Sequence, residues 1–275
     1  MLRTSLLAFL TVSAALAPQG TPAAQSDTPI LRKIQVLIIT GRDDHDWRGA
    51  TASMRQYLDD AGIFEVRTAE EFRDAGSESL SPYDVAVLVY NDKAAADHWT
   101  DRSRRTLLDF VQGGKGLVVY HHSTGAFHDW PDYARLCGGN YYGGAHHAPI
   151  HDFKVSFTDR DHPITRGLKA GFLETQDELY ANMHMQPPGT YHVLATAWDD
   201  HALYEGQSRV PLEGPGANEP VMWTVQAGAG RVFATMLGHS AKATRSDGFR
   251  VTFVRGVEWS ATGKVTLPPP PEMTR

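Results

Sequence analysis

The chain has 275 residues, of which 41% are apolar and 21% charged, with a formal net charge of −6. That length can bury a full hydrophobic core, as one large domain or two modest ones. The acidic balance, with no basic stripe to offset phosphate repulsion, argues against nucleic acid as a partner.

The N-terminus reads as a targeting segment. Arg3 supplies a positive start, residues 6–17 a short apolar run, and Ala15, Ala17, Ala23 and Ala24 small residues for cleavage. Pro18 is a poor residue directly after a cut at Ala17, which makes Ala24 at least as good a site. A signal peptide is therefore expected over residues 1–25. The apolar run is too short to anchor in a bilayer, so export to the periplasm or the medium follows, with no stable membrane anchor. The mature part keeps one cysteine, Cys137, so it has no internal disulfide and its core must carry its stability. Cys137 ends the short amphipathic stretch "YARLCGG" and reads as a small buried residue.

Residues 34–40, "IQVLIIT", form a nearly unbroken apolar strand of the kind buried on both faces of a parallel sheet. The polar loop "GRDDHDWRG" follows, then a helix over 50–61 closed by Gly62. Residues 64–68 and the apolar 84–90 are the second and third strands. Thr100 is placed to cap a helix that carries Leu107, Leu108 and Val111 and ends at Gly113-Gly114. Residues 116–120 make the fourth strand, which stops at His121 and His122. Extended segments "FKVSF", "YHVLATAW", "PVMWTVQ" and "RVFATML" come later, separated by Gly and Pro turns. After the last, "GHSAKATRSDG" leads to a helix with Phe249, Phe253, Val254 and Val257 on one face and Gly263 past its end. Alternating apolar strands and helices predict an α/β fold: an open, mostly parallel, doubly wound sheet flanked by helices, in one domain over residues 30–265. Residues 266–275 form a proline-rich tail. No internal repeat or dividing linker is visible.

Ligands of open α/β sheets bind beyond the carboxyl ends of the strands. Three histidine-bearing loops meet that criterion independently: His45 and Asp46 after the first strand, His121 and His122 after the fourth, and Gly238-His239 after the last. The fold would bring all three to one edge. The alternative is a chance scatter among the 13 histidines of the chain. His121 can equally cap a buried carbonyl, and Asp46 can equally cap the following helix. Neighbouring strand residues point to opposite faces, so only a sharp turn delivers both His121 and His122 to one pocket. His128 and Trp130 sit on a loop that either covers the site or packs locally. "GGNYYGGAHHAP" offers a glycine-rich lid with Tyr141, Tyr142, His146 and His147, a pattern also common on plain surfaces. In "TQDELY", Asp177, Glu178 and Tyr180 read as a strand start, with Glu178 functional only if it faces the histidines.

The segments "GKGLVVYHHSTG", "DHPITRGL", "DELY", "GAGRVFATMLGHS" and "FRVTFVRGVEWSATGK" resemble the ThuA-like, or trehalose-utilisation, family over residues 33–264. The resemblance implies a class I glutamine amidotransferase-like (flavodoxin-like) fold, in agreement with the sheet read from the strands. It also implies that His121 stands at the strand tip where true amidotransferases carry a nucleophilic cysteine, and that His239 matches their activating histidine. Thioester chemistry then has no nucleophile, and Cys137, after a helix, is in the wrong context to substitute. The chain is not expected to be a glutaminase.

The family's link to disaccharide catabolism implies an exported enzyme acting on a sugar, a disaccharide or a keto-sugar derivative. Imidazoles that titrate near neutrality suit proton transfer beside a carbonyl or a glycosidic oxygen. His121 and His239 are then the acid and base, with Glu178 orienting them or sharing a proton. His45, Asp46, His122, His128, Trp130 and Tyr142 are expected to hold the substrate, the aromatic rings stacking on the apolar face of a sugar. A metal-assisted version stays open, because neutral imidazoles with a carboxylate suit zinc or a similar divalent ion. No tight ligand motif exists, so its ligands would come from separate loops, out of His45, His121, His122, Glu178 and His239. A non-catalytic carbohydrate-binding or scaffold module on the same fold is the alternative of another class. Histidines gathered at strand ends speak against it. A small-molecule carbohydrate is the partner implied, and self-association into a homo-oligomer is compatible with the sequence.

Overall fold

The apolar strands are apolar on both sides because helices cover both faces of the sheet they build. In the computed structural model, which describes residues 32–43, 45–205 and 216–275, β1 (Ile34–Ile39) leads into α1 (Trp47–Ala61) and β2 (Phe64–Ala69). β3 (Val85–Leu88), α2 (Asp101–Gln112), β4 (Gly116–Tyr120) and α3 (Pro131–Cys137) follow. Two residue pairs, β5 (Gly139–Asn140) and β6 (His146–His147), precede the long β7 (His151–Phe157) and β8 (Gly171–Asp177). The short β9 (Tyr180–Ala181) and β10 (His184–Met185) come next, then β11 (His192–Asp199), β12 (Ala217–Ala227), β13 (Gly230–Thr235) and α4 (Asp247–Thr262). The signal segment expected over residues 1–25 lies outside the described residues.

Nine strands form one sheet in the order β2-β1-β3-β4-β13-β12-β11-β7-β8. Neighbours from β2 to β13 are parallel, and those from β13 to β8 are antiparallel. Followed strand by strand, only β12 and β7 run against the others, so the expected mostly parallel α/β sheet is present with hairpins grafted on one side. Val85, Ala86, Val87 and Leu88 of β3 and Leu117 to Tyr120 of β4 are fully buried, as doubly covered strands must be. β13 shows the two layers directly. A Cβ on Gly230 would lie 1.9 Å from the Val111 carbonyl oxygen of α2, while the next side chain, Arg231, donates to the carbonyls of Trp259 and Ser260 in α4. Successive strand residues face opposite sides, so α2 and α4 lie on opposite faces.

The helix ends use local chemistry. Ser246 Oγ accepts from the Phe249 amide at 3.0 Å at the start of α4, and Gly62 and Gly263 close α1 and α4 at φ +74°. Thr100 occupies the cap position of α2 but makes no side-chain cap bond; its hydroxyl donates to Asp74 at 2.9 Å instead. The proline-rich tail is docked: the Lys169 amide donates to Met273 O at 2.8 Å, and Met273 is buried. Among the described residues no helix is long and apolar enough to cross a membrane.

Candidate active site

β4 ends at Tyr120, and His121 takes φ +35°, a left-handed conformation that a side chain adopts at a cost. The chain then folds into a tight 3-10 turn, His121–Gly125. Ser123 pins that turn to β3, its hydroxyl donating to Leu88 O at 2.9 Å and accepting from the Tyr90 amide at 2.9 Å. This is the sharp turn that the paired histidines needed. It places both rings against His45: the His45 and His122 rings stack at 4.8 Å, and the His45 and His121 rings meet edge-on at 5.5 Å.

His121 is fully buried. Its Nδ1 lies 2.6 Å from Met236 O, and since a carbonyl only accepts, Nδ1 carries the proton and Nε2 presents a lone pair. Tyr180 stacks on the ring at 4.2 Å. On the opposite edge of the cluster, Asp43 stands between two imidazoles, with Oδ1 2.7 Å from His45 Nδ1 and Oδ2 2.8 Å from His122 Nε2.

The last strand delivers His239. Gly238 sits at φ +104°, where a Cβ would come within 2.6 Å of the Tyr120 ring, so this turn requires glycine. Buried Asp177 holds the turn: it accepts from the amides of Gly238 at 2.7 Å, His239 at 2.8 Å and Glu178 at 2.9 Å. One carboxylate therefore sets the backbone of both His239 and Glu178. The Glu178 carboxylate faces three imidazoles. Its Oε2 is 2.9 Å from His239 Nδ1 and 3.7 Å from His121 Nε2, and its Oε1 is 3.5 Å from His147 Nδ1. The His239 ring centre is 4.9 Å from that of His45 and 5.7 Å from that of His121.

Burial pushes the His121 imidazole below its ordinary pKa, and the neighbouring Glu178 carboxylate only partly offsets that. Burial acts to raise Glu178 as well, but its contacts with His121 and His239 and the field of His147 outweigh it and hold the carboxyl well below the usual range. Full burial favours the neutral form of His121. Burial also keeps the Tyr180 phenol protonated, far above its ordinary value.

A cavity of about 550 Å³ opens beside the cluster, within the range of small-molecule sites. His45, His122 and Tyr180 are shared between its wall and the cluster, and Tyr141, Tyr142 and His128 form an aromatic side. Tyr142 stacks on His184 at 5.2 Å and lies 4.9 Å from His128. The glycine-rich segment that carries these tyrosines is tied over the site by the β5–β10 and β6–β9 pairings.

Seven of the nine residues expected at the site thus gather as one group or line its cavity wall. His45, His121, His122, Glu178 and His239 form the group, and Tyr142 and His128 join it through the cavity. Two expectations are corrected. Asp46 is the N-cap of α1, its carboxylate accepting from the Gly49 amide at 3.0 Å. Trp130 is buried and packs on Phe127 and Tyr133, with the Arg104 guanidinium 5.7 Å from its ring; it belongs to the core and not to a sugar platform. Asp43, the contact of His147 with Glu178 and the anchoring role of Asp177 were not foreseen. Asp43 lies in a loop with aspartates at 43, 44 and 46 around His45, and nothing in that spacing singles it out.

Several solved structures are similar to this chain. A ThuA-like protein from Parabacteroides merdae is 30% identical, with a TM-score of 0.75 over 88% of this chain and 95% of the other. A ThuA-like protein from Bacteroides uniformis shares the fold at 16% identity and a TM-score of 0.66, over 91% of this chain and 98% of its own. A β-galactosidase from Bacillus circulans sp. alkalophilus shares it at 14% identity and a TM-score of 0.52, over 86% of this chain but only 32% of the enzyme. No curated protein matches. The family model described as "ThuA: Trehalose utilisation" matches residues 35–260, a span that holds the nine-stranded sheet but for the first residue of β1 and all of the clustered histidines, and the chain belongs to that family.

Proposed function

We propose that this protein is an exported enzyme of carbohydrate catabolism that acts on a sugar, a disaccharide or a keto-sugar derivative without a cysteine nucleophile. The observation that carries the reading is the meeting of His121, Glu178 and His239 from three separate loops beside a cavity with an aromatic wall. Family membership supports a carbohydrate-related role. The signal-like residues 1–25 support export.

In this reading His239, partly exposed at its side chain (24%), exchanges protons with the substrate. Glu178 orients the His239 ring through its 2.9 Å contact. His121 holds the inner end of the site with a fixed tautomer. The rings of Tyr141 and Tyr142 supply flat apolar surface for a sugar ring, and His128 and His122 supply polar edges. Such positioned acid and base groups contribute about 10²–10⁴-fold to a rate.

A panel of disaccharides and their keto forms, followed by mass spectrometry, tests the reading. The wild type is expected to convert at least one of them, and His239→Ala and Glu178→Gln to lower turnover by roughly 10²-fold or more with the fold intact. The double variant should lose less than the product of the singles, since groups acting as one unit are not additive. Normal turnover in His239→Ala would sink the assignment. Saturable sugar binding with no conversion of any sugar would favour the carbohydrate-binding module instead.

A further inference from the structure

We infer that His45, His121, Glu178 and His239 form the coordination site of a divalent transition-metal ion, with three imidazole nitrogens, one carboxylate oxygen and a remaining position facing the cavity. The inference rests on reading this cluster as the active site and names its cofactor; with the ion bound, His239 and Glu178 are ligands rather than the acid/base pair described above.

Proximity is the first ground. One ligand atom from each of the four residues can be chosen so that all lie within 4.8 Å of one another. Around a zinc-like ion with bonds of about 2.0–2.1 Å, tetrahedral ligands lie about 3.3 Å apart and opposite ligands of a fuller sphere about 4.2 Å apart. The measured contacts of 2.9 Å and 3.7 Å from Glu178 Oε2 to His239 Nδ1 and His121 Nε2 bracket the shorter spacing.

The direction of the lone pairs is the second ground. His121 Nε2 and His239 Nδ1 are both buried and have no hydrogen-bond partner among the described residues. For His121, Glu178 is too far for such a bond. For His239 the carboxylate oxygen is near enough, yet the two groups are not aligned for one. A nitrogen and a carboxylate oxygen held at 2.9 Å without hydrogen-bond alignment fit two ligands of one ion. That is the arrangement of neighbouring ligands in one coordination sphere, whereas a shared proton would align them. An unsatisfied buried nitrogen also destabilises the fold, and here His121 and His239 each leave one beside the Glu178 carboxylate.

The outer partners are the third ground. A metal-bound histidine generally donates its other N–H to a carboxylate or a backbone carbonyl, which fixes the tautomer and the ring. His45 Nδ1 faces Asp43 Oδ1 at 2.7 Å, and His121 Nδ1 donates to Met236 O at 2.6 Å. Each leaves Nε2 as the ligand atom. Asp177 fixes the main chain at the other two ligands. Asp43, His45 and His122 also stand close together; there Asp43 Oδ1 meets His45 Nδ1 at 2.7 Å and supports that ligand from outside the coordination sphere. A nitrogen-rich set with one carboxylate suits zinc, iron, cobalt or manganese better than calcium or magnesium, which prefer all-oxygen sites.

The test uses the untagged full chain, stripped with chelator, dialysed and titrated with Zn²⁺ by calorimetry, with visible spectra after Co²⁺ loading. One ion per chain is expected. His239→Ala and Glu178→Gln should weaken binding by at least ~10²-fold, and Asp43→Asn by about 10–100-fold, all with wild-type circular dichroism. His192→Ala, which removes an exposed histidine paired with Asp159, should bind as the wild type does. Uptake well below one ion per chain would overturn the inference. So would equal affinity in the His239 and Glu178 variants, which would assign the zinc to scattered histidines or leave a buried water as the occupant. Because binding is read without substrate, the two readings separate. A chain that binds one zinc ion but converts no sugar keeps the metal centre and loses the proposed function. A chain that converts sugar while binding none of these ions does the reverse.

Discussion

Cys137 and Asp177 are both buried to zero exposure, yet they act in different ways. The thiol of Cys137, the last residue of α3, is enclosed, and burial pushes its pKa up to about 12, a shift that Tyr133 and Asn140 only partly offset. A thiol that stays protonated is no nucleophile. Cys137→Ser is therefore expected to leave turnover nearly unchanged and to lower stability by about 1–2 kcal/mol at most, the scale of burying a hydroxyl in place of a thiol. Turnover and urea unfolding measured side by side check this, and a folded but inactive variant would return the cysteine to the chemistry. Asp177 acts through three backbone amides that converge on it from Gly238, His239 and Glu178. Its neighbour Glu178 was legible in the sequence as a carboxylate beside the histidine loops. The work of Asp177 was not, because a residue that grips main-chain N–H groups 61 and 62 positions away leaves no local pattern.

At the scale of elements, the β4 tip shows why a strand and its turn must be read together. Alternation alone sends His121 and His122 to opposite faces; the left-handed φ of His121 cancels that and turns both rings toward His45. The α1 terminus shows the reverse case. Asp46, in a loop otherwise directed at the site, is spent on capping the helix. Asp46→Ala is thus expected to destabilise the protein by about 1 kcal/mol, the usual worth of such a cap, with no change in turnover. Chemical denaturation alongside a kinetic assay decides it; a loss of turnover larger than the loss of folded protein would put Asp46 back in the site. Trp130 makes the same point for α3. Its sequence position beside His128 suggests a ligand platform, and its packing on Phe127 and Tyr133 makes it core.

For the whole molecule, stability should depend on pH through a residue that joins the sheet's antiparallel edge to the helical layer. Glu174 of β8 is fully buried and accepts from Ser246 Oγ, the N-cap of α4, at 2.7 Å. Burial, reinforced by Asp177, raises its pKa from 4.5 to about 8. A raised carboxyl favours the folded state only while it is protonated. Its contribution is complete below pH 4.5, declines as the unfolded chain ionises, and is lost as pH rises through about 8. The decline amounts to a few kcal/mol at most, since a tenfold change in proton affinity is worth about 1.4 kcal/mol. Glu174→Gln keeps an acceptor for Ser246 and removes the titration, so its unfolding midpoint should fall less than that of the wild type between about pH 5 and pH 9. Parallel curves for the two proteins would show that another group governs alkaline stability.

The strand–helix alternation, the buried parallel strands, the helix stops at Gly62 and Gly263 and the histidines at strand ends were all determined by the sequence itself. They follow from local hydrophobic periodicity, from backbone preferences and from where an α/β sheet must expose its loops. Family membership was legible too, since it resides in contiguous motifs. The tertiary structure alone decided which side chains meet. It set Asp43 rather than Asp46 against the imidazoles, placed His147 near Glu178 and Tyr180 on His121, and packed Trp130 into the core. Those outcomes depend on distances between side chains far apart in the chain and on the direction in which one strained turn sends two neighbouring rings, and neither quantity is written in local sequence.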